Sequence, residues 1–175
     1  RTVYDGGGIQ PDVELAETKL STISDALVKN DGIFNYVTDF YYKNPNLGTT
    51  IPTVSDADFA SFKAFLKKQN FSFDTDTELA LKNTLTVAKK EKIDASIMAE
   101  YQQLLAALQR SDENQLNQNQ KEIKNLILDE IIKRYQYKEG LYQYYTKNNS
   151  EIKKAVGILN NMPEYNRILK IWSNS

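Results

Sequence analysis

The chain has 175 residues, enough for one domain with its own core, and 22 Lys plus Arg against 23 Asp plus Glu leave a formal net charge of −1. Without a basic surplus to meet a phosphate backbone, nucleic acid is a poor partner, and 0 Cys with 0 His removes thiolate nucleophiles, imidazole bases and the common zinc ligands together. No apolar run is long enough to cross a bilayer, and a start at Arg1 with neither Met nor a leader reads as a piece cut from a longer protein.

Residues 1–15, RTVYDGGGIQPDVEL, differ from everything that follows. Val3 and Tyr4 suit a strand, Gly6, Gly7 and Gly8 permit backbone angles that other residues avoid, and the extended reading resumes from Ile9 to Val13, interrupted by Pro11. The pattern is strand, turn, strand. Its glycines are not spaced as GxGxxG and no P-loop lysine follows, so a phosphate cradle is not indicated.

From Ser21 the pattern is helical. Ser21 or Thr22 can cap a short helix carrying Ile23, Ala26 and Leu27, with Asn30, Asp31 and Gly32 as its end. The next helix sets Phe34, Val37, Phe40 and Tyr41 on one face and stops at Pro45, and residues 46–54 form the best internal loop. Ser55 then caps a helix whose Phe59, Phe62, Phe65 and Leu66 make an aromatic core face. Asp74, Asp76 and Glu78 invite a calcium reading, but an EF-hand starting at Asp74 would need Gly and Glu where Leu79 and Leu85 stand. Capping by Asp74 or Thr75 explains the acids better, and Leu81, Leu85 and Ala88 carry that helix to about Lys92.

Ile97, Tyr101, Leu104, Leu105 and Leu108 then form a clean amphipathic stripe, expected to lie along the central helix. Residues 109–120 hold Leu116 as their only large apolar side chain, which predicts an exposed hairpin tip, with a disordered linker as the alternative. The central helix is residues 121–140. Ile123, Ile127, Ile131 and Tyr135 run down one side, and Leu126, Leu128 and Ile132 widen the stripe beyond that of an ordinary surface helix. Glu130 and Arg134 fall inside this apolar arc at the favourable i, i+4 spacing, which predicts a structural ion pair, with a binding role as the alternative.

Tyr137, Tyr142, Tyr144 and Tyr145 form a cluster able to stack on sugars or anchor a partner, although tyrosines more often line a core edge with their hydroxyls in water. Ser150 is expected to cap a helix with Ile152, Ala155, Val156 and Leu159 inward. Pro163 opens the last helix, bearing Tyr165, Ile168, Leu169 and Trp172, and the two short helices should pair as a hairpin.

Three motifs carry a family resemblance. Residues 1–13, RTVYDGGGIQPDV, resemble the G-R-x-x-x-G-G-G-I-x-P-D-V segment that closes the protease core of carboxy-terminal processing (tail-specific) serine proteases. Residues 34–45, FNYVTDFYYKNP, and 130–140, EIIKRYQYKEG, are similar to the helical extension following that core in a bacterial branch of the family. The resemblance implies a parent serine endopeptidase with a Ser/Lys dyad and a PDZ domain that captures substrate tails, in the periplasm or cell envelope. In that family both catalytic residues precede the glycine-rich segment, so no catalytic residue transfers to this chain. No cofactor or metal is expected either.

The expected fold is therefore an all-α multi-helix bundle around a long central helix, preceded by a short β/Gly-rich segment left over from the protease core. Residues 1–15 would be that remnant and 16–175 the helical C-terminal domain. The expected role is non-catalytic: supporting the core, assisting dimerisation, or shaping substrate access, with the parent's own core and PDZ domain, a second copy, and the parent's protein substrates as partners. A free-standing helical module binding a protein or glycan through its tyrosines is the alternative. A carboxylate enzyme is disfavoured, because each acid pair found has a capping or ion-pair explanation.

Overall fold

The computed structural model describes residues 11–15, 19–47 and 53–169. Residues 1–10 of the strand–turn–strand expected over residues 1–15, the middle of the 46–54 loop and Trp172 lie outside them, and residues 11–15 form no strand. Within them are eight helices and no strand: α1 Thr22–Lys29, α2 Gly32–Lys43, α3 Asp56–Lys68, α4 Asp76–Glu91, α5 Asp94–Gln118, α6 Gln120–Asn148, α7 Ser150–Leu159 and α8 Met162–Ile168. The all-α class is as expected. Residues Lys19–Lys138 form one compact unit and residues 139–169 belong to a second.

The starts of α1, α3 and α4 follow side-chain chemistry written in the sequence. Ser21 accepts from the Ser24 amide ahead of α1. Ser55 with Asp58, and Thr75 with Glu78, make complete capping boxes for α3 and α4, each satisfying two backbone donors that a helix start leaves open. Gly32 begins α2 instead of ending α1. Asp31, in the left-handed region at φ 58°, makes the turn between them, and the ring of Phe71 occupies the space where a side chain at position 32 would stand.

The core gathers Ile23 and Leu27 of α1, Ile33, Tyr36 and Val37 of α2, Phe59, Phe62 and Leu66 of α3, and Leu116 of α5 around Ile123, Ile127 and Ile131 of α6. Each fully buried large side chain here contributes about 1.5–3 kcal/mol relative to exposure. Tyr36 stands edge-on to Phe62 and Phe65, with centroids 5.1 and 5.5 Å away, and its hydroxyl donates to the Asp58 carbonyl at 3.2 Å, so its polar tip is satisfied inside an aromatic cluster. Polar ties lock α6 to the early helices. Glu122 accepts from the Ser21 amide at 3.0 Å, and Asp56 accepts from Gln120 at 2.7 Å and Lys124 at 2.6 Å.

Four expectations are corrected. Residues 109–120 are not an exposed tip: α5 continues to Gln118, Asn119 alone turns the chain, and both Asp112 and Leu116 are buried. Low apolar content misled because a single leucine can seat the run when neighbouring helices cover it. Helix α5 packs chiefly on α4 and α1, not along α6, and Leu104 of its stripe is exposed. On α2 the inward face is Ile33, Tyr36 and Val37, which leaves Phe34 on the outside. On α7 the cap is Asn149, and Ala155, Val156 and Leu159 are exposed, although α7 and α8 do pack against each other as a pair.

Candidate functional site

Arg134 sits where α6 faces α2. Its Nε lies 3.3 Å from Oε1 of Glu130, one terminal nitrogen donates to the Thr38 hydroxyl at 2.9 Å, and the guanidinium lies 4.3 Å above the centre of the Phe34 ring. Lys133 adds a longer contact to Glu130 at 3.4 Å. The side chains of Glu130 and Arg134 are 19% and 24% exposed, so the pair is half-buried, and Nε and one terminal nitrogen of Arg134 are turned to architecture. The outward Phe34 is thereby explained: it is the aromatic platform for the cation.

The tyrosines fall into both units. Tyr137 is 73% exposed and interrupts α6, with φ 59° and ψ −162°, so the run from Gln120 to Asn148 is two helical stretches joined across a kink. Its neighbour Tyr135 is tied down instead: the hydroxyl donates to the Asn44 carbonyl at 2.6 Å and the ring centre lies 5.0 Å from that of Tyr41. In the second unit Tyr142 is exposed, and Tyr144 and Tyr145 are half-buried with rings 6.1 Å apart.

A cleft of about 710 Å³ in the first unit, between the end of α3, the 69–73 loop, the start of α4 and the middle of α5, holds the chemistry that sequence reasoning missed. Leu66, Phe71, Phe73, Leu105 and Leu116 give it apolar walls. Glu78 of α4 and Asp112 of α5 both line it, and both residues are only 6% exposed. Burial, with Glu78 as the second cause, pushes the Asp112 carboxyl up to about 6. The signal available in the sequence was weak: Glu78 was assigned to its cap, and a lone Asp in a polar stretch predicts a solvated side chain.

Ser72 and Lys82 meet at the rim of this cleft at 2.7 Å, a Ser–Lys contact that could be mistaken for a catalytic dyad. A lysine acting as general base must be neutral. Here Asp74 accepts from both Lys82 and Ser72, and its hydrogen bond holds the Lys82 amine above the usual lysine range while the Asp74 carboxyl falls below its own. The lysine stays charged and the serine hydroxyl points at a carboxylate, so the trio closes the loop before α4 and activates nothing.

Among the described residues, no group of three or more His, Cys, Asp or Glu is placed to hold a metal ion, and no helix is long and apolar enough to cross a membrane. The family model described as "Probable PDZ-protease, C-terminal helical domain" matches residues 23–159, from the first turn of α1 to the last residue of α7. No curated protein and no solved structure matches the chain.

Proposed function

We infer the role of this chain from its family: it belongs to the C-terminal helical domains of probable PDZ-proteases. Its work is non-catalytic support of the protease to which it is joined. The parent enzyme is a carboxy-terminal processing serine endopeptidase of the periplasm or cell envelope, and this domain buttresses its protease core.

The family match from α1 through α7 carries the reading. Two features of the fold favour support over catalysis. Lys82 is held charged beside Ser72 by Asp74, and the α7–α8 pair leaves Val156, Leu159, Met162 and Leu169 between 46% and 60% exposed. Apolar side chains grouped on a short helical pair suit docking on another surface, and the parent's own core is the surface the family supplies. Assistance to dimerisation or to substrate access would follow from how that docking places the core.

The test is made in the full-length parent protease with Val156→Lys and Leu159→Lys. Lower melting temperature and slower cleavage of a peptide with an apolar unstructured tail are expected, while the isolated 175-residue chain keeps its helicity. Unchanged melting, oligomeric state and cleavage in the full-length variants would remove the supporting role.

A further inference from the structure

The two helical segments that carry the family resemblance, residues 34–45 and 130–140, meet where α2 ends and α6 breaks. A pocket of about 340 Å³ lies there, lined by Tyr41, Pro45, Asn46, Arg134, Tyr135 and Tyr137, all of the first unit. Its aromatic wall is fixed before anything binds. Tyr135 is held by its hydrogen bond to the Asn44 carbonyl, the ring of Tyr41 stands 5.0 Å from that of Tyr135, and Tyr42, 78% exposed, meets Tyr41 edge-on at 5.9 Å.

Tyr137 is the strained member of this wall. Its backbone, at φ 59° and ψ −162°, lies where glycine alone is at ease, and its ring is 73% exposed, so packing does not account for a tyrosine there. Strain of this kind is held where a protein grips a ligand. The lining is also rich in unused donors. Among the described residues, the hydroxyls of Tyr41 and Tyr137 and the side-chain amide of Asn46 make no hydrogen bond. Arg134 gives Nε to Glu130 and one terminal nitrogen to Thr38, which leaves the other.

We propose that this pocket receives a proline-rich, extended segment of a partner polypeptide, whose rings pack on Tyr41, Tyr42 and Tyr137 and whose carbonyls accept from the tyrosine hydroxyls, Asn46 and Arg134. Such a segment is stiff before binding, presents carbonyls without proline N–H groups, and is the ligand that aromatic-lined grooves take. Other ligands fit worse. Glu130 at 3.3 Å already answers the charge of Arg134, so the pocket holds no spare cation for an anion. Among the described residues no carboxylate lines it to accept from the hydroxyls of a saccharide. This goes beyond the supporting role and does not rest on it.

Calorimetry of the 175-residue chain with acetyl-Pro-Pro-Leu-Pro-Pro-Leu-Pro-amide, with the same peptide carrying alanine for every proline, and with cellotriose tests the proposal. The proline peptide is expected to bind at least about tenfold tighter than the alanine one. Tyr137→Ala should weaken it about tenfold, and Tyr41→Phe, which keeps the ring and removes the donor, about threefold. Tyr142→Ala, which removes an exposed tyrosine of the second unit, should leave it unchanged. Circular dichroism of each variant confirms the fold. Equal affinity for the two peptides, binding of neither, tighter binding of cellotriose, full affinity in folded Tyr137→Ala and Tyr41→Phe, or an equal loss in Tyr142→Ala overturns it.

Discussion

Gly32 lies under the ring of Phe71, so close that a Cβ at position 32 would stand 2.8 Å from Cζ and 2.9 Å from Cε2 of the ring. The contact fastens the start of α2 to the loop after α3. Gly32→Ala is expected to destabilise the chain by about 1–3 kcal/mol through overpacking, despite alanine's better helix propensity. Trimming the ring in Gly32→Ala/Phe71→Leu should recover part of that loss. A single variant that melts at or above the parent temperature would show that the ring moves aside freely.

Arg134 bonds at once to Glu130, to Thr38 and to the face of Phe34. Its half-buried position puts Arg134→Ala between the cost of an exposed pair and that of a buried one, at about 1–3 kcal/mol. Lys133→Ala, which loses only the longer contact on the exposed side, should cost under about 0.5 kcal/mol. A double-mutant cycle with Glu130→Ala separates the ion pair from the rest. Coupling equal to the whole Arg134 effect would mean that Thr38 and Phe34 contribute nothing.

Asp112 should make stability fall as pH rises. Its carboxyl titrates at about 6 in the folded chain and near the ordinary 3.8 when unfolded, so between those values the folded state binds more protons. The linkage slope is therefore negative from about pH 4 to pH 6, and above that window the full cost of burying the anion is carried. Asp112→Asn is expected to melt a few degrees above the parent at pH 8, with the gap closing by about pH 4. A gap that is constant with pH would show that Asp112 is solvated in both states.

Tyr137 holds φ 59° with ψ −162°, a region open in practice to glycine alone, and its side chain is mostly in water. Tyr137→Gly should therefore relieve about 1–3 kcal/mol of backbone strain while giving up little packing. Thermal melts of Tyr137→Gly and Tyr137→Ala decide between strain and contact. If both variants lose stability equally, the ring matters and the backbone does not.

The parts of the fold that were legible are those set by neighbours in sequence. Ser55 with Asp58 and Thr75 with Glu78 mark their helices because a cap acts over three residues, and the Ile123, Ile127, Ile131 stripe shows because a buried face repeats each turn. What could not be read depends on partners distant in sequence. Asp112 is buried although its own stretch is polar, and it lines a cleft with residues of α4 and the 69–73 loop. Phe34 sits outside because Arg134, a hundred positions on, uses its face. Nothing near Tyr137 announces a break, since the glycine that suggests an end is three residues later at Gly140.

That break also decides where the chain can change length. An extra residue in an unbroken helix turns everything beyond it by about 100°, which would rotate an apolar stripe off its partners. At Tyr137 the helical phase is already interrupted, and the stripe of Ile123, Ile127 and Ile131 lies wholly before it. An insertion or deletion at this point leaves the register of the core untouched, whereas the same change at Leu126 would unseat it.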